Sequence, residues 1–260
     1  MTNRLASLLM QDTGRPLVIP YLTAGFPDKT ETVPLLEALV RGGADAIELG
    51  LPFSDPLADG PVIQRTSQEA LRAGIDHRQI LTLVREFRKQ SEVPLVVMGY
   101  LNPILAYGAE QFFSDAVDAG VDGMIIPDVP PEEAGPYLGP AQKAGLSWMF
   151  LAAPTSSDQR LQDIDGASSD LSYCVSVTGV TGVRKSLPAD IAEYLSRASR
   201  VMKKPFVVGF GISTLDQIAQ VSPPAVGVVV GSALLRVLLA EQTPQARLDR
   251  AESFMRGLKR

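Results

Sequence analysis

The sequence predicts an α/β fold, a TIM (β/α)8 barrel built as one domain over residues 1–260, and three observations carry that expectation. Short β-branched or aliphatic runs recur along the chain, each followed by a loop of Gly, Pro, Ser and Asp and then by a segment at helical spacing. That alternation builds a parallel sheet. Eight such units in 260 residues match a barrel, which takes about 250, whereas a doubly wound sheet usually has fewer strands. Finally, the loop after the first run reads Ala24-Gly25-Phe26-Pro27-Asp28, without the glycine-rich dinucleotide turn of a doubly wound sheet. No linker or low-complexity stretch divides the chain.

Taken in order, the N-terminal segment carries Leu5, Leu8, Leu9 and Met10 at helical spacing and reads as an amphipathic helix closing one end of the barrel. The predicted strands are 17–23, 46–50, 95–100, 123–126, 147–152, 171–177, 205–210 and 226–230. Predicted helices cover 31–41, 62–73, 110–119, 132–144, 157–164, 189–202 and 214–220. A last helix, 243–257, opens with Thr243 as cap and Pro244 in its first turn. Three of the junctions repeat one phrase, GGADAIEL, AGVDGMII and AGLSWMFL, in which glycine ends a helix and a buried strand follows directly.

Composition narrows the function. The chain is 45% hydrophobic and 20% charged, with 24 Lys and Arg against 29 Asp and Glu, a net charge of -5 and no basic run, so a nucleic-acid backbone is not its ligand. Cys174 is the one cysteine and sits in an apolar run, which excludes an intrachain disulfide and reads as a small buried hydrophobe in a reducing, cytoplasmic setting. The one histidine, His77, follows Gly74-Ile75-Asp76 and is expected as an exposed turn residue between helices; histidine-based triads are excluded. The carboxylates are not grouped at metal-ligand spacing, so the expected site is metal-free. No apolar run approaches membrane-spanning length, and no signal-peptide cleavage site is visible.

The chemistry gathers on loops that follow strands, which form the active face of a barrel. Glu48 stands in Ala46-Ile47-Glu48-Leu49-Gly50, where an aliphatic side chain is expected and where burial would raise a carboxyl pKa enough to let it donate a proton near neutrality. Its structural alternative is a buried ion pair, and the adjoining strand segments offer no base. Asp59 lies in a loop stiffened by Pro52, Pro56 and Pro61; taken alone it reads as the cap of the next helix sooner than as a partner acid. Gly211 and Gly231-Ser232, after the last two strands, read with Gly182 as a phosphate cradle, Ser232 opening a short helix whose N-terminus offers donors. The segment 179–188 reads as a lid or as a plain surface loop. Tyr100 and Tyr173, at strand ends, either donate hydrogen bonds or pack, and Asp128 orients loops.

Seven segments in order, PYLTAGFP at 20–27, ELGLPFSDPLADGPVIQ at 48–64, GYLNP at 99–103, PDVPPEE at 127–133, GVTGVR at 179–184, GFGIS at 209–213 and VGSAL at 230–234, resemble the tryptophan synthase alpha subunit family over essentially the whole chain. The resemblance implies cleavage of indole-3-glycerol phosphate to indole and glyceraldehyde 3-phosphate without metal or cofactor. It implies Glu48 as the acid/base group and Asp59 as the carboxylate facing the indole N–H, with Thr181 as the lid residue that meets Asp59. It places the substrate phosphate on Gly182, Phe210, Gly211, Gly231 and Ser232, the glycerol phosphate chain beside Tyr173, and the indole among strand-end residues including Tyr21 and Met98. Tyr21 stands where relatives often carry phenylalanine, and its hydroxyl needs a partner. The family docks on a beta subunit that holds pyridoxal phosphate, in an alpha2-beta2 heterotetramer. Pro52, Asp55, Asn102 and Pro130 lie in the loops matching that contact surface, and an exposed Leu51-Pro52-Phe53 would need covering.

Three other readings remain. A stand-alone lyase would have the same chemistry and release indole freely. A non-catalytic phosphate-binding barrel would not need the two acids. A Schiff-base aldolase requires a lysine at a strand end, which none of the predicted strands supplies.

Overall fold

The computed structural model describes residues 3–175, 190–209 and 211–259. Among them, nine strand segments form one sheet: β1 (Leu17–Thr23), β2 (Ile47–Gly50), β3 (Leu95–Met98), β4 (Gly123–Ile125), β5 (Ser147–Met149), β6 (Leu151–Ala152), β7 (Ser172–Val175), β8 (Phe206–Gly209) and β9 (Gly227–Val230). Every pairing is parallel, and the order is β5-β4-β3-β2-β1-β9-β8-β7-β6. Only Phe150 separates β5 from β6, and its carbonyl accepts the Tyr173 N–H at 3.1 Å. The two ends of the sheet are therefore halves of one strand, and the sheet closes into a TIM barrel with the expected eight strand positions.

The helices are α1 (Arg4–Leu9), α2 (Thr32–Arg41), α3 (Pro61–Arg72), α4 (His77–Arg88), α5 (Leu101–Tyr107), α6 (Ala109–Ala119), α7 (Gly135–Ala144), α8 (Asp158–Ala167), α9 (Ile191–Val201), α10 (Leu215–Val221), α11 (Ser232–Ala240) and α12 (Pro244–Gly257). Thr243 caps α12 as expected, its hydroxyl accepting the Ala246 N–H at 3.2 Å. Gly120 and Gly145 end α6 and α7 in the left-handed region, at φ +98° and +106°, while in Gly42-Gly43 the second glycine takes that role at φ +97°.

Two helices depart from the sequence reading. α4 fills the stretch between α3 and β3; Asp76 caps it by accepting the Gln79 N–H at 2.8 Å, and Ile80, Leu81, Val84 and Phe87 give it a buried stripe. His77 is accordingly not an exposed turn residue. It opens α4 half-buried, its ring edge-on to Phe112 with centroids 6.1 Å apart, and burial lowers its pKa. α5 is a two-turn helix directly after β3, with Tyr100 as its N-cap residue, so Asn102 is helical and not in a loop.

At the N-terminal end of the barrel, aspartates just before three of the strands, two of them in the repeated junction phrases, clasp neighbouring strands. Asp45, just before β2, accepts the Val18 N–H of β1 at 2.8 Å; Asp122, before β4, accepts the Leu95 N–H of β3 at 2.8 Å; Asp170, before β7, accepts from the Ser147 hydroxyl of β5. Asp122 also pairs with buried Arg88 at 2.8 Å and with Arg4 of α1 at 3.3 Å, while Leu5 is buried beneath that helix. This is the end-closing role expected of the N-terminal segment. Among the described residues, no helix is long and apolar enough to cross a membrane.

Candidate active site

Strand phase puts Glu48 inside the barrel. Successive side chains on a strand alternate, so Ile47 and Leu49 pack outward under the helices, while Glu48 faces a cavity it shares with Tyr21, Met98 and Tyr173 from three other strands. Register sets Glu48 level with Tyr21 on β1 and Val96 on β3. The cavity is completed by Ile63 of α3 and by Gly211, Ile212, Val229, Gly231, Ser232 and Ala233 at the ends of β8 and β9.

Two glycines make room for its tyrosines. A Cβ at Gly50 would run into the Tyr21 hydroxyl, and one at Gly209 into the Tyr173 hydroxyl. Each glycine stands two residues beyond the tyrosine's register partner on the next strand, Glu48 and Val207 respectively, so both rings lean along the barrel toward the same open end.

Asp59 reaches this end from the loop after β2. Gly60, not Asp59, is the N-cap of α3, so the helix-cap alternative for Asp59 is not realised. The Asp59 carbonyl instead accepts from Gln64 Nε2 at 2.9 Å, and the side chain, 5% exposed, turns inward. Tyr100 Oη accepts the Ala58 N–H at 3.0 Å and donates to the Asp59 carboxylate. Asp59 Oδ1 remains buried without a hydrogen-bond partner among the described residues. A buried acceptor left in that state is costly unless a ligand donor completes it.

The electrostatics follow from burial. Glu48, 3% exposed, is pushed up to about 8 by desolvation first and by the Asp59 charge second. Desolvation raises Asp59 to about 7, against the stabilising hydrogen bond from Tyr100. Among the described residues no cation enters either balance, and none forms the ion pair that was the alternative for Glu48. Burial and the two carboxylates also raise Tyr21 and Tyr173 well above the usual phenol range, and Tyr100 is raised by burial and Asp59.

On the same cavity, Gly211 has φ +80°, a conformation suited to glycine, and Ser232 is the first residue of α11. The N-terminus of α11 and its Ser232 hydroxyl border the cavity, an arrangement suited to an anion. Thr181, Gly182 and Phe210 lie outside the described residues, as does the segment 179–188. Asp128 holds loops together as expected, accepting the Leu101 N–H at 3.1 Å.

The apolar loop corrects one expectation. Leu51 and Pro52 are buried, and half-buried Phe53 lies tilted against Tyr100 with ring centroids 5.3 Å apart, so most of Leu51-Pro52-Phe53 is covered by the chain itself. The exposed apolar residue of that loop is Leu57, at 88%, accompanied on α5 by Leu105 at 46%. Asp55 and Asn102 are exposed and Pro130 is half-buried.

Sequence reading missed Ile63, Ile212 and Val229 as cavity walls, since nothing distinguishes a cavity-lining aliphatic from a core one. A second, larger cleft of about 350 Å³ lies at the opposite end, between α1 and the start of β1, and it gathers no paired acids. Among the described residues, no group of three or more His, Cys, Asp or Glu could hold a metal ion.

Comparison with known proteins follows the same line. The model of the family described as "Tryptophan synthase alpha chain" matches residues 8–260. The tryptophan synthase alpha chain of Chlorobium chlorochromatii is 46% identical over a 266-residue alignment covering 99% of each chain, and that of Solibacter usitatus is 47% identical over 247 residues, 95% of this chain and 92% of the relative. Among solved structures, the tryptophan synthase subunit alpha of Legionella pneumophila superposes with a TM-score of 0.89 at 37% identity, covering 100% of this chain and 98% of that one. A chain of the tryptophan synthase complex of Pyrococcus furiosus gives 0.86 at 38% identity, covering 94% and 97%. The chain belongs to the tryptophan synthase alpha chain family.

Proposed function

We infer that the chain is the alpha subunit of a tryptophan synthase: a lyase that cleaves indole-3-glycerol phosphate to indole and glyceraldehyde 3-phosphate and passes indole to a beta subunit. The observation that supports this reading is a buried carboxyl on the cavity wall, Glu48, protonated at neutral pH, with a second buried carboxylate, Asp59, near enough for its charge to act on Glu48 and carrying an unused acceptor oxygen. The family carries no cofactor of its own; pyridoxal phosphate belongs to the beta subunit.

In this reading Glu48, held protonated by burial, gives its proton to indole C3. As a carboxylate it then takes the proton of the glycerol hydroxyl next to that carbon. The carbon–carbon bond breaks, its electron pair returns to the indole ring, the hydroxyl carbon becomes the aldehyde, and Glu48 ends protonated as it began. Asp59 Oδ1 accepts the indole N–H and stabilises the positive charge that develops on the protonated ring, a dry-site interaction worth about 10²–10³ in rate. Tyr100 favours the ionised form of Asp59 by donating to it. Gly211, Gly231 and Ser232, with Gly182 and Phe210, bind the phosphate; Tyr173 borders the glycerol chain; Tyr21 and Met98 line the ring; Thr181 meets Asp59 from the lid.

The exposed Asp55, Leu57, Asn102 and Leu105 suit a docking face for the beta subunit, with Pro52 and Pro130 behind it, in an alpha2-beta2 assembly. The whole chain, 1–260, acts as one domain in the cytoplasm. The deciding experiment measures indole formation from indole-3-glycerol phosphate by wild type, Glu48→Gln and Asp59→Asn, with and without a beta subunit. Loss of at least about 10²-fold in each variant is expected. Near-normal turnover by Glu48→Gln would overturn the mechanism, and full wild-type activity alone would favour the stand-alone lyase.

A further inference from the structure

The turn that carries Gly211 is anchored by one buried side chain. Gln217 of α10 is 5% exposed, and its Oε1 accepts the Ser213 N–H at 2.8 Å and the Ser213 hydroxyl at 3.0 Å. The backbone N–H fixes which end of the carboxamide faces Ser213, because an N–H can be met only by the oxygen. Both lone pairs of that oxygen thus go to one residue. Capping α10 does not require this, since the Thr214 hydroxyl already accepts the Gln217 N–H at 3.3 Å. In a capping box the side chain of the third helical residue returns to the N–H of the cap itself. Gln217 reaches one residue further back, to an N–H that belongs to the turn.

What Gln217 holds is a wall of the cavity. Gly211 and Ile212, the two residues before Ser213, both line it, and Gly211 stands at φ +80°. Glycine reaches that conformation without strain but reaches many others as well, so it does not by itself fix the course of the chain. Upstream, the ladder fixes the backbone as far as Gly209, which pairs with Val175 of β7. Downstream, the two bonds from Ser213 to Gln217 supply the second anchor. Backbone N–H groups bind an anion best when they are held in place beforehand, because ordering them on binding costs affinity. We propose that Gln217 is a positioning residue for the phosphate end of the substrate, acting through Ser213 to hold Gly211 and Ile212 on the cavity. The proposal rests on the reading of that wall as the phosphate cradle.

The test is steady-state cleavage of indole-3-glycerol phosphate by the full chain, with inorganic phosphate as competitive inhibitor, and urea unfolding of each protein. The proteins are wild type, Gln217→Met, Ser213→Ala, the Ser213→Ala/Gln217→Met double variant and Ser232→Asp. Methionine keeps the length of the glutamine without its acceptor. Gln217→Met should raise both KM and the inhibition constant of phosphate about 10-fold, the scale of one or two hydrogen bonds, with kcat within about 2-fold of wild type. Ser213→Ala, which removes only the hydroxyl, should raise both about 3-fold and should cost nothing further once Gln217 is replaced. Ser213 is half-buried, and its alanine variant tests the same contact if Gln217→Met does not fold. Wild-type phosphate inhibition in either single variant, a loss falling only on kcat or on unfolding stability, or equal losses from Ser213→Ala in both backgrounds would mean that Gln217 serves the helix alone and would overturn the proposal. Unchanged phosphate inhibition in Ser232→Asp would remove the cradle itself, whereas weakened inhibition there beside wild-type inhibition in Gln217→Met would remove only the role of Gln217.

Discussion

Glu48→Gln should make the fold more stable as pH rises. An ordinary glutamate ionises near 4.5, whereas burial and the Asp59 charge hold Glu48 up at about 8. Below the lower value the carboxyl is neutral in both folded and unfolded chains and contributes no difference. Between the two values the unfolded chain ionises while the folded chain keeps its proton, so wild-type stability falls with rising pH by about 1.4 kcal/mol per unit. From pH 5 to pH 8 the loss approaches about 4 kcal/mol, and it levels off above that. Glutamine carries no such dependence. The Asp59 contribution is present in both proteins and largely cancels. Equilibrium urea unfolding of wild type and Glu48→Gln across that range should show the stability gap widening by about 3–4 kcal/mol in favour of glutamine, although the variant makes no indole. Parallel pH profiles would refute the argument that Glu48 is an uncompensated buried acid.

Three further outcomes are expected. Tyr100→Phe keeps the ring against Phe53 but leaves the Asp59 carboxylate and the Ala58 N–H each short of a partner; the Asp59 pKa should move above about 7, and kcat/KM should fall about 10-fold with its pH profile displaced to higher pH. An unshifted profile would remove Tyr100 from the support of Asp59. Ser232→Asp sets like charge beside the phosphate and should raise KM at least about 10-fold, and unchanged affinity would take Ser232 out of the cradle. Asp122→Ala leaves buried Arg88 without its carboxylate and should cost about 3–5 kcal/mol in chemical unfolding, while kcat per folded molecule holds because the cluster lies at the opposite end of the barrel.

The barrel was legible because each of its signals is local. Aliphatic runs ended by loop residues located every strand to within two residues over the described chain, and Gly120 and Gly145 stopped α6 and α7 through a conformation that glycine adopts without strain. α4 was missed because His77 was read as punctuation, although Asp76 is a cap and Ile80, Leu81, Val84 and Phe87 make a helical stripe. The site was legible in proportion to how badly a residue fits its local pattern. Glu48 interrupts a buried strand and stood out, whereas Asp59, in a loop where aspartate is ordinary, needed three-dimensional placement to lose its cap reading.

The segment from Asp55 to Asp59 joins two tasks within a few residues. Asp55 and Leu57 are exposed, Asp59 is buried and its charge acts on Glu48, and Tyr100 clasps both Ala58 and Asp59 from the N-terminus of α5, where Asn102 and Leu105 are exposed. A partner seated on Leu57 and α5 would therefore press on two elements that meet at the Tyr100 hydroxyl. Asp59 sits at about 7, so its ionised fraction responds steeply to that one hydrogen bond. Improving the bond by about 1.4 kcal/mol would move the Asp59 pKa by about one unit and carry it from half to mostly ionised at neutral pH. That shift fits within the 1–3 kcal/mol typical of coupling between sites, and it requires no rearrangement of the barrel. Activation by the beta subunit should accordingly shrink in Tyr100→Phe even where docking is unchanged, and a full activation ratio in that variant would place the coupling elsewhere.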